Sequence, residues 1–165
     1  MSDKLNINII EVMVDERPKF YCTFVSSELV FEYRLSKKII VGEVDKSENG
    51  DFDFATSFRA NPAFKETIFD FARTEMYKDE SLNNSAIEQQ EGWVYVIDQR
   101  TKTPEGEVPP YDIIGGFKVE KSEMKGFSEN PNYQIRSLNG FTDLGVNLNI
   151  RMNNFLKSLI TGKLA

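Results

Sequence analysis

Trp93-Val94-Tyr95-Val96-Ile97 and Ile113-Ile114-Gly115-Gly116-Phe117-Lys118-Val119 are the two stretches that decide the fold class of this chain. Both are short apolar runs rich in β-branched and aromatic residues, which are enriched in strands. Each run therefore predicts a strand that is largely shielded from water. The glycine pair in the second run predicts a bulge, or a place where another part of the backbone approaches closely.

Residues 5–58, which precede these strands, predict further antiparallel β-structure. Apolar and more polar side chains alternate over 28–35 and again over 52–58. A period of two places one face of a strand on a core and the other toward water. Asn49-Gly50 is the strongest hairpin signal in the chain.

Two helices are predicted on either side of the central strands. The first covers 62–77, with Asn61 as its N-cap and Pro62 at the first helical position. The second covers 143–161, where apolar residues recur at helical spacing and Gly162 follows as a C-terminal cap. The sequence thus predicts an α+β fold in which a mainly antiparallel sheet carries two substantial helices.

Length and aromatic content predict one domain over residues 1–165. A chain of 165 residues suits a single core, and its 13 phenylalanines are the expected anchors of that core. The polar stretch 78–91 is expected to be a surface connection and is the best internal seam.

The absence of histidine excludes much of the usual catalytic chemistry. The chain contains no histidine and one cysteine. Histidine is the side chain that titrates near neutral pH and is the commonest metal ligand. Ser-His-Asp and Cys-His nucleophiles and His-ligated metal centres are therefore excluded. Cys22 is expected to be a buried, unreactive thiol.

Net charge and hydropathy indicate the compartment and the kind of partner. The net charge is −6 and the pI is about 4.8, so direct binding to nucleic acid is not expected. A protein partner with a basic surface would be attracted instead. The chain lacks a signal-peptide pattern and a long apolar run, and one cysteine cannot form an intramolecular disulfide. We expect a cytoplasmic protein with no membrane contact.

One acidic segment matches the opening of an EF-hand calcium loop. Oxygen-bearing side chains stand at alternating positions, a glycine is sixth, and Thr56 replaces the glutamate required at the twelfth position. An Asn-Gly hairpin turn accounts for the same residues. Calcium is the one cofactor for which the sequence supplies candidate ligands, which are Asp45, Ser47, Asn49, Asp51 and Asp53.

The proline-rich loop between the two central strands is the predicted partner-binding surface. A loop of this length is unusual in a compact domain unless it is functional or mobile. Pro109-Pro110 favours an extended path, and tryptophan and tyrosine are typical of binding interfaces. The predicted partner-binding residues are Glu105, Glu107, Pro109, Pro110, Tyr111 and Trp93.

Three short segments resemble a known family. They are Gly92-Trp93-Val94-Tyr95-Val96-Ile97-Asp98, then Gly106-Glu107-Val108-Pro109-Pro110-Tyr111-Asp112-Ile113-Ile114-Gly115, and Glu129-Asn130-Pro131-Asn132-Tyr133. Together they resemble bacterial proteins associated with type VII secretion systems, over about residues 90–162. The resemblance implies an accessory or partner-binding role and supplies no catalytic residues.

The leading functional hypothesis is a non-catalytic, cytoplasmic protein-interaction or accessory domain, either secretion-associated or immunity-like. The first alternative is a module that binds calcium or a small ligand through the 45–53 hairpin. The second is a histidine-free enzyme that uses carboxylates, such as the pair Asp98 and Asp112. Such a pair would need a pocket that drives its two pKa values apart.

Overall fold

The computed structural model describes residues 3–101 and 107–162 and shows the predicted α+β fold. Contacts between Cα atoms divide the chain into two compact units. We call Leu5–Thr67 with Asn153–Ala165 the N-terminal unit, and Met1–Lys4 with Ile68–Met152 the central unit. A single domain over 1–165 stays a prediction.

The N-terminal unit contains a four-stranded antiparallel sheet in which the strands follow chain order. A two-residue turn joins the first two strands, with Asp15 and Glu16 at φ 51° and 65°. Positive φ at both positions matches the twist of a tight hairpin. The strands are β1 (Asn8–Val14), β2 (Arg17–Thr23), β3 (Ile40–Val44) and β4 (Arg59–Ala60).

Two strands predicted in this unit are wrong. Residues 28–35 contain the helix α1 (Ser27–Glu32), because the Ser26 side chain accepts a hydrogen bond from Leu29 N and caps a helical turn. Within 52–58, α2 (Phe54–Ser57) forms in the same way on the carboxylate of Asp53. Local capping thus overrides a short alternating pattern.

The Asn49-Gly50 turn and the N-cap at Asn61 are confirmed. Gly50 has φ 90°, and a β-bridge joins Lys46 to Phe52 across the turn. The side chain of Asn61 accepts from Ala63 N at 3.2 Å. This contact caps the N-terminus of α3 (Pro62–Thr74). The helix ends three residues before its predicted end at 77.

The N-terminal unit buries a core between its sheet and these helices. Phe24 and Phe64 pack with ring centroids 5.8 Å apart. Cys22 is fully buried, and burial raises the pKa of its thiol to about 11, as expected of an unreactive cysteine. Other buried apolar residues of this unit are Ile10, Val25, Val30, Ile39, Val41, Val44 and Leu156.

The central unit contains a three-stranded antiparallel sheet and a helix that the sequence does not predict. Residues 78–91, expected to be a connection, include α4 (Glu80–Gln89), which starts because Asp79 accepts a hydrogen bond from Leu82 N at 3.0 Å. The sheet has the order β5-β6-β7. Its strands are β5 (Gly92–Ile97), β6 (Ile113–Glu120) and β7 (Glu123–Glu129).

A small two-stranded sheet and the first part of the last helix complete the central unit, and the rest of that helix belongs to the N-terminal unit. The small sheet consists of β8 (Arg136–Ser137) and β9 (Gly140–Phe141). The helix α5 (Val146–Thr161) is followed by Gly162 at φ 71°, which confirms the predicted glycine cap. Among the described residues, no helix is long and apolar enough to cross a membrane.

The glycine pair in β6 marks both a bulge and a close approach, as predicted. Val96 pairs with Gly115 while Ile97 pairs with Ile113, so β6 has one extra residue at this point. A side chain at Gly115 would meet the backbone oxygen of Ser128 and the Phe127 ring at less than 3.0 Å. Only glycine lets β7 lie this close to β6.

Gly115→Ala is therefore expected to destabilise the protein by about 1–3 kcal/mol, the usual cost of forcing an extra methyl into a packed site. Gly126→Ala in the neighbouring strand is the matched control, because nothing lies within 4 Å of the position of its added methyl. Urea unfolding of the two variants measures the difference. Equal stabilities would contradict the close approach.

Candidate functional site

The alternation of β5 places two aromatic side chains on the exposed face of the central sheet. Val94 and Val96 are buried, at 8% and 4% exposure, whereas Trp93 and Tyr95 are 40% and 60% exposed. Val94 packs with Ala86 and Val119 in the core beside α4. One face of the strand therefore holds the fold together, and the other presents two rings to solvent.

Gly116 supports these rings from the neighbouring strand. Gly116 pairs with Tyr95 in the β5–β6 register. A methyl group at Gly116 would lie 3.2 Å from Cδ1 of Tyr95 and 3.4 Å from Cε3 of Trp93. The rings thus lie directly over the backbone of β6, where any larger residue would displace them.

A groove of about 390 Å³ opens beside the two rings, and we call it the aromatic groove. Pro110 and Pro131 contribute apolar walls. Glu129 is the one charged side chain among the described residues that lines the groove, and it forms an ion pair with Arg73. The remaining lining residues are Ile113, Gly115, Gly116, Ser128 and Asn130.

Asn130 fixes both prolines of the aromatic groove. Its amide nitrogen donates to the backbone oxygens of Pro110 and Ile113, each at 2.7 Å. Its side-chain oxygen accepts from Asn132 N at 3.1 Å, which closes a turn around Pro131. One asparagine side chain therefore ties together the two loops that form the walls.

A buried arginine organises the loops behind this groove. The Arg100 side chain is only 3% exposed, and its Nε donates to Oδ1 of Asp112 at 2.8 Å. Its two terminal nitrogens donate to four backbone oxygens, so that all five N–H groups of the guanidinium have an acceptor. Those oxygens belong to Ile135, Gly140, Tyr111 and Gln134.

Asp112 is the fully buried carboxylate that pairs with this arginine. Burial acts to raise its pKa, but hydrogen bonds from Thr101 and Asn139 and the charge of Arg100 hold the pKa below its usual range. The Thr101 hydroxyl lies 2.7 Å from Oδ2, and the Ser137 hydroxyl lies 3.0 Å from Oδ1. We therefore treat Asp112 as ionised and fully hydrogen-bonded.

Asp98 is the second carboxylate of the network and has a different environment. Its Oδ2 accepts from the Tyr133 hydroxyl at 2.7 Å, and its Oδ1 accepts from Arg100 N at 3.0 Å and Asp143 N at 3.1 Å. Burial raises the pKa of Asp98 to about 6, although Arg100 and these donors act to lower it. Burial likewise raises the pKa of Tyr133 well above its usual value.

The network favours a structural role for these two acids. Each carboxylate oxygen of Asp98 and Asp112 already accepts hydrogen bonds from within the protein. Tyr133, which follows the turn after Asn130, is 1% exposed and joins this network through its hydroxyl. The result is a rigid support for the loop walls of the aromatic groove.

The structure brings together some of the predicted partner-binding residues. Trp93 and Pro110 both line the aromatic groove. Pro109 and Tyr111 contribute backbone oxygens, which accept from Asp112 N and from Arg100 respectively. Glu107 is exposed and does not line the groove. Glu105 lies outside the described residues.

Sequence reasoning missed Tyr95 and Arg100. The period-two alternation of β5 places Tyr95 on the same face as Trp93, so this signal was present. Arg100 has no local signal, because all the partners to which its side chain donates hydrogen bonds stand between 11 and 40 residues away in the chain.

Four of the five candidate calcium ligands in the 45–53 hairpin use their side chains in local contacts, and Asp51 contributes its backbone. Asp45 pairs with Arg59 at 3.1 Å, and the Asn49 side chain accepts from Asp51 N. Asp53 caps α2, and the hydroxyl of Ser47 bonds to Asn49. Among the described residues, no group of three or more acidic, histidine or cysteine side chains is arranged to hold a metal ion. Calcium binding by this hairpin stays a prediction.

No protein-family model matches the chain, and comparisons with curated proteins and with solved structures likewise return no match. The resemblance to secretion-associated proteins therefore stays a prediction.

Arg100→Ala is expected to destabilise the protein by about 3–5 kcal/mol, because it leaves a buried carboxylate without its partner charge. Arg73→Ala is the control from the same unit. Its side chain is 42% exposed, so loss of its ion pairs is expected to cost less than about 1 kcal/mol. Urea unfolding compares the two, and a similar small effect for both would show that the Arg100 network is dispensable.

Asp98 is expected to make folding stability fall as the pH rises. Its pKa is about 6 in the folded protein against an ordinary 3.8, so the folded state binds the proton more tightly. The stabilisation is complete below about pH 4 and is lost as the pH passes through 6, with an upper limit of about 3 kcal/mol. The free energy of unfolding of the parent, measured relative to Asp98→Asn from pH 4 to 7, reports this change. A constant difference would contradict it.

Proposed function

We propose that this chain is a non-catalytic protein-binding domain that holds a polypeptide segment of its partner in the aromatic groove. The observation that carries the proposal is the pair of exposed rings, Trp93 and Tyr95, seated on Gly116 between two proline walls. A cytoplasmic accessory role, secretion-associated or immunity-like, fits such a domain.

The chemistry of the groove favours a polypeptide ligand. Tryptophan and tyrosine are enriched at the residues that contribute most to binding between proteins. They supply large contact areas with few rotatable bonds, so little conformational entropy is lost on binding. Trp93 and Tyr95 meet this description, because both rings stand exposed on one strand.

The rigid support of the groove strengthens the proposal. A preformed site loses less free energy to ordering on binding than a flexible one. Asn130 holds the Pro110 and Pro131 walls, and the Arg100 network holds the loops behind them. The buried acids are committed to this support, which favours binding over acid–base catalysis.

A displayed library of random peptides tests the proposal. The library is selected on the parent protein after removal of phage that bind Trp93→Ala, and selected peptides are then titrated in solution. Trp93 is the only tryptophan in the chain, so its fluorescence reports occupation of the groove directly. We expect the selected peptides to change this fluorescence and to bind Tyr95→Ala at least about tenfold more weakly.

Tyr77→Ala is the matched control, because Tyr77 is 48% exposed in the same unit but does not line the groove. It should bind the selected peptides as the parent does. Selected peptides that bind Tyr95→Ala as tightly as the parent, or that leave the Trp93 fluorescence unchanged, would overturn the proposal, as would a library that yields no binder.

A further inference from the structure

β5 forms an unprotected edge of the central sheet. The order β5-β6-β7 leaves two edges, and no strand among residues 3–101 and 107–162 pairs with the free side of β5. Edges are normally protected by charged side chains or proline. β7 has this protection in Glu123, Lys125 and Glu129, whereas β5 contains neither a charge nor a proline.

The register of the sheet shows which backbone groups of β5 face this edge. Asp98 N donates to Asp112 O on the side of β6, and Asn130 N donates to Ile114 O on the side of β7. Along an antiparallel strand, the backbone groups of successive residues point alternately to one side and the other. The even-numbered residues of β5 therefore form the hydrogen bonds to β6. The N–H and C=O groups of Trp93 and Tyr95 therefore point to the open edge.

A second groove, which we call the edge groove, follows the free side of β5. It has a volume of about 340 Å³ and is lined by Tyr95, Val96 and Ile97. Leu82, near the start of α4, and Val146, at the start of α5, provide apolar surface opposite the strand. Val146 is 58% exposed, so this surface is open to a ligand.

We infer that an extended segment of the partner adds to β5 as a fourth strand and carries apolar residues alternating with lysine or arginine. This inference rests on the proposed function and names the chemistry of the ligand. Successive side chains of a strand face opposite sides. Those on the side of Val96 enter the edge groove, and those on the other side lie beside Trp93 and Tyr95. Cations are favoured over such rings.

Charge selects a basic segment over a second copy of this chain. The central unit contains 15 acidic and 10 basic residues, so it carries −5 of the total −6. Two copies meeting at β5 would bring two such units together, and like charges repel. Among residues 3–101 and 107–162, no lysine or arginine lines either groove beside β5. A basic strand would therefore complement both the open backbone groups of β5 and the negative charge of the central unit.

A designed peptide tests this chemistry. The probe is a seven-residue peptide of alternating lysine and valine with blocked termini, and the control replaces every lysine with glutamate. Trp93 fluorescence of the full chain reports binding of each. We expect the lysine peptide to bind at least about tenfold more tightly than the glutamate peptide at low salt, with the difference shrinking as salt is added.

N-methylation of the lysine peptide tests strand addition itself. In an extended strand the N–H groups of alternate residues point to the same side. One version is methylated on the valine amides and the other on the lysine amides. We expect one version to lose binding by at least about tenfold and the other to retain it, since only one edge of the peptide pairs with β5.

The outcomes separate this inference from the proposed function. Equal binding by both methylated peptides, or no binding by the lysine peptide while library peptides still bind, would overturn strand addition and leave the aromatic groove as the site. A dimer of the chain in light scattering that the lysine peptide does not dissociate would assign the edge to a second copy. Failure of every peptide, selected or designed, would overturn both proposals.

Discussion

The buried guanidinium of Arg100 is the constraint on which the central unit depends. A charged group removed from water needs partners for all its donors, since an unpaired charge in the interior is strongly destabilising. Arg100 meets this requirement with Asp112 and four backbone oxygens drawn from two separate loops. Of the four residues that supply these oxygens, only Gly140 lies in a strand, and Ile135 and Tyr111 each accept one further backbone hydrogen bond. The arginine thus joins segments that have little regular secondary structure of their own.

This support connects the core to the candidate binding surface. Pro110 stands two residues before Asp112, and Pro131 stands two residues before Tyr133, so both walls of the aromatic groove adjoin members of the network. A groove built on loops is ordinarily mobile, and mobility lowers affinity because order must be established on binding. Here the loops are held before a ligand arrives. The buried polar network and the apolar groove are therefore built from the same loops.

The parts of the fold predicted from the sequence are those with local causes. β5, β6, the Asn49-Gly50 turn and the Gly162 cap each depend on a few adjacent residues, and each is present. The strand predicted over 28–35 is wrong because Ser26 caps a helix there, and a cap outweighs a short alternation. Arg100 was missed because its role depends on partners far away in the chain, which no local pattern records. Tyr95, in contrast, was visible in the alternation of β5.

The unequal edges of the central sheet are best explained by binding. β7 carries three charged residues in seven, which is typical of a protected edge, whereas β5 keeps an apolar sequence at an edge where such a sequence invites aggregation. Burial accounts for Val94 and Val96, whereas Trp93 and Tyr95 are 40% and 60% exposed and lie outside the buried core. The rings pack on Gly116 of the neighbouring strand, but that contact does not require an edge strand without charge. The proposed ligand, which would pair with the backbone of β5 and lie against the rings, would account for the absence of charge on β5.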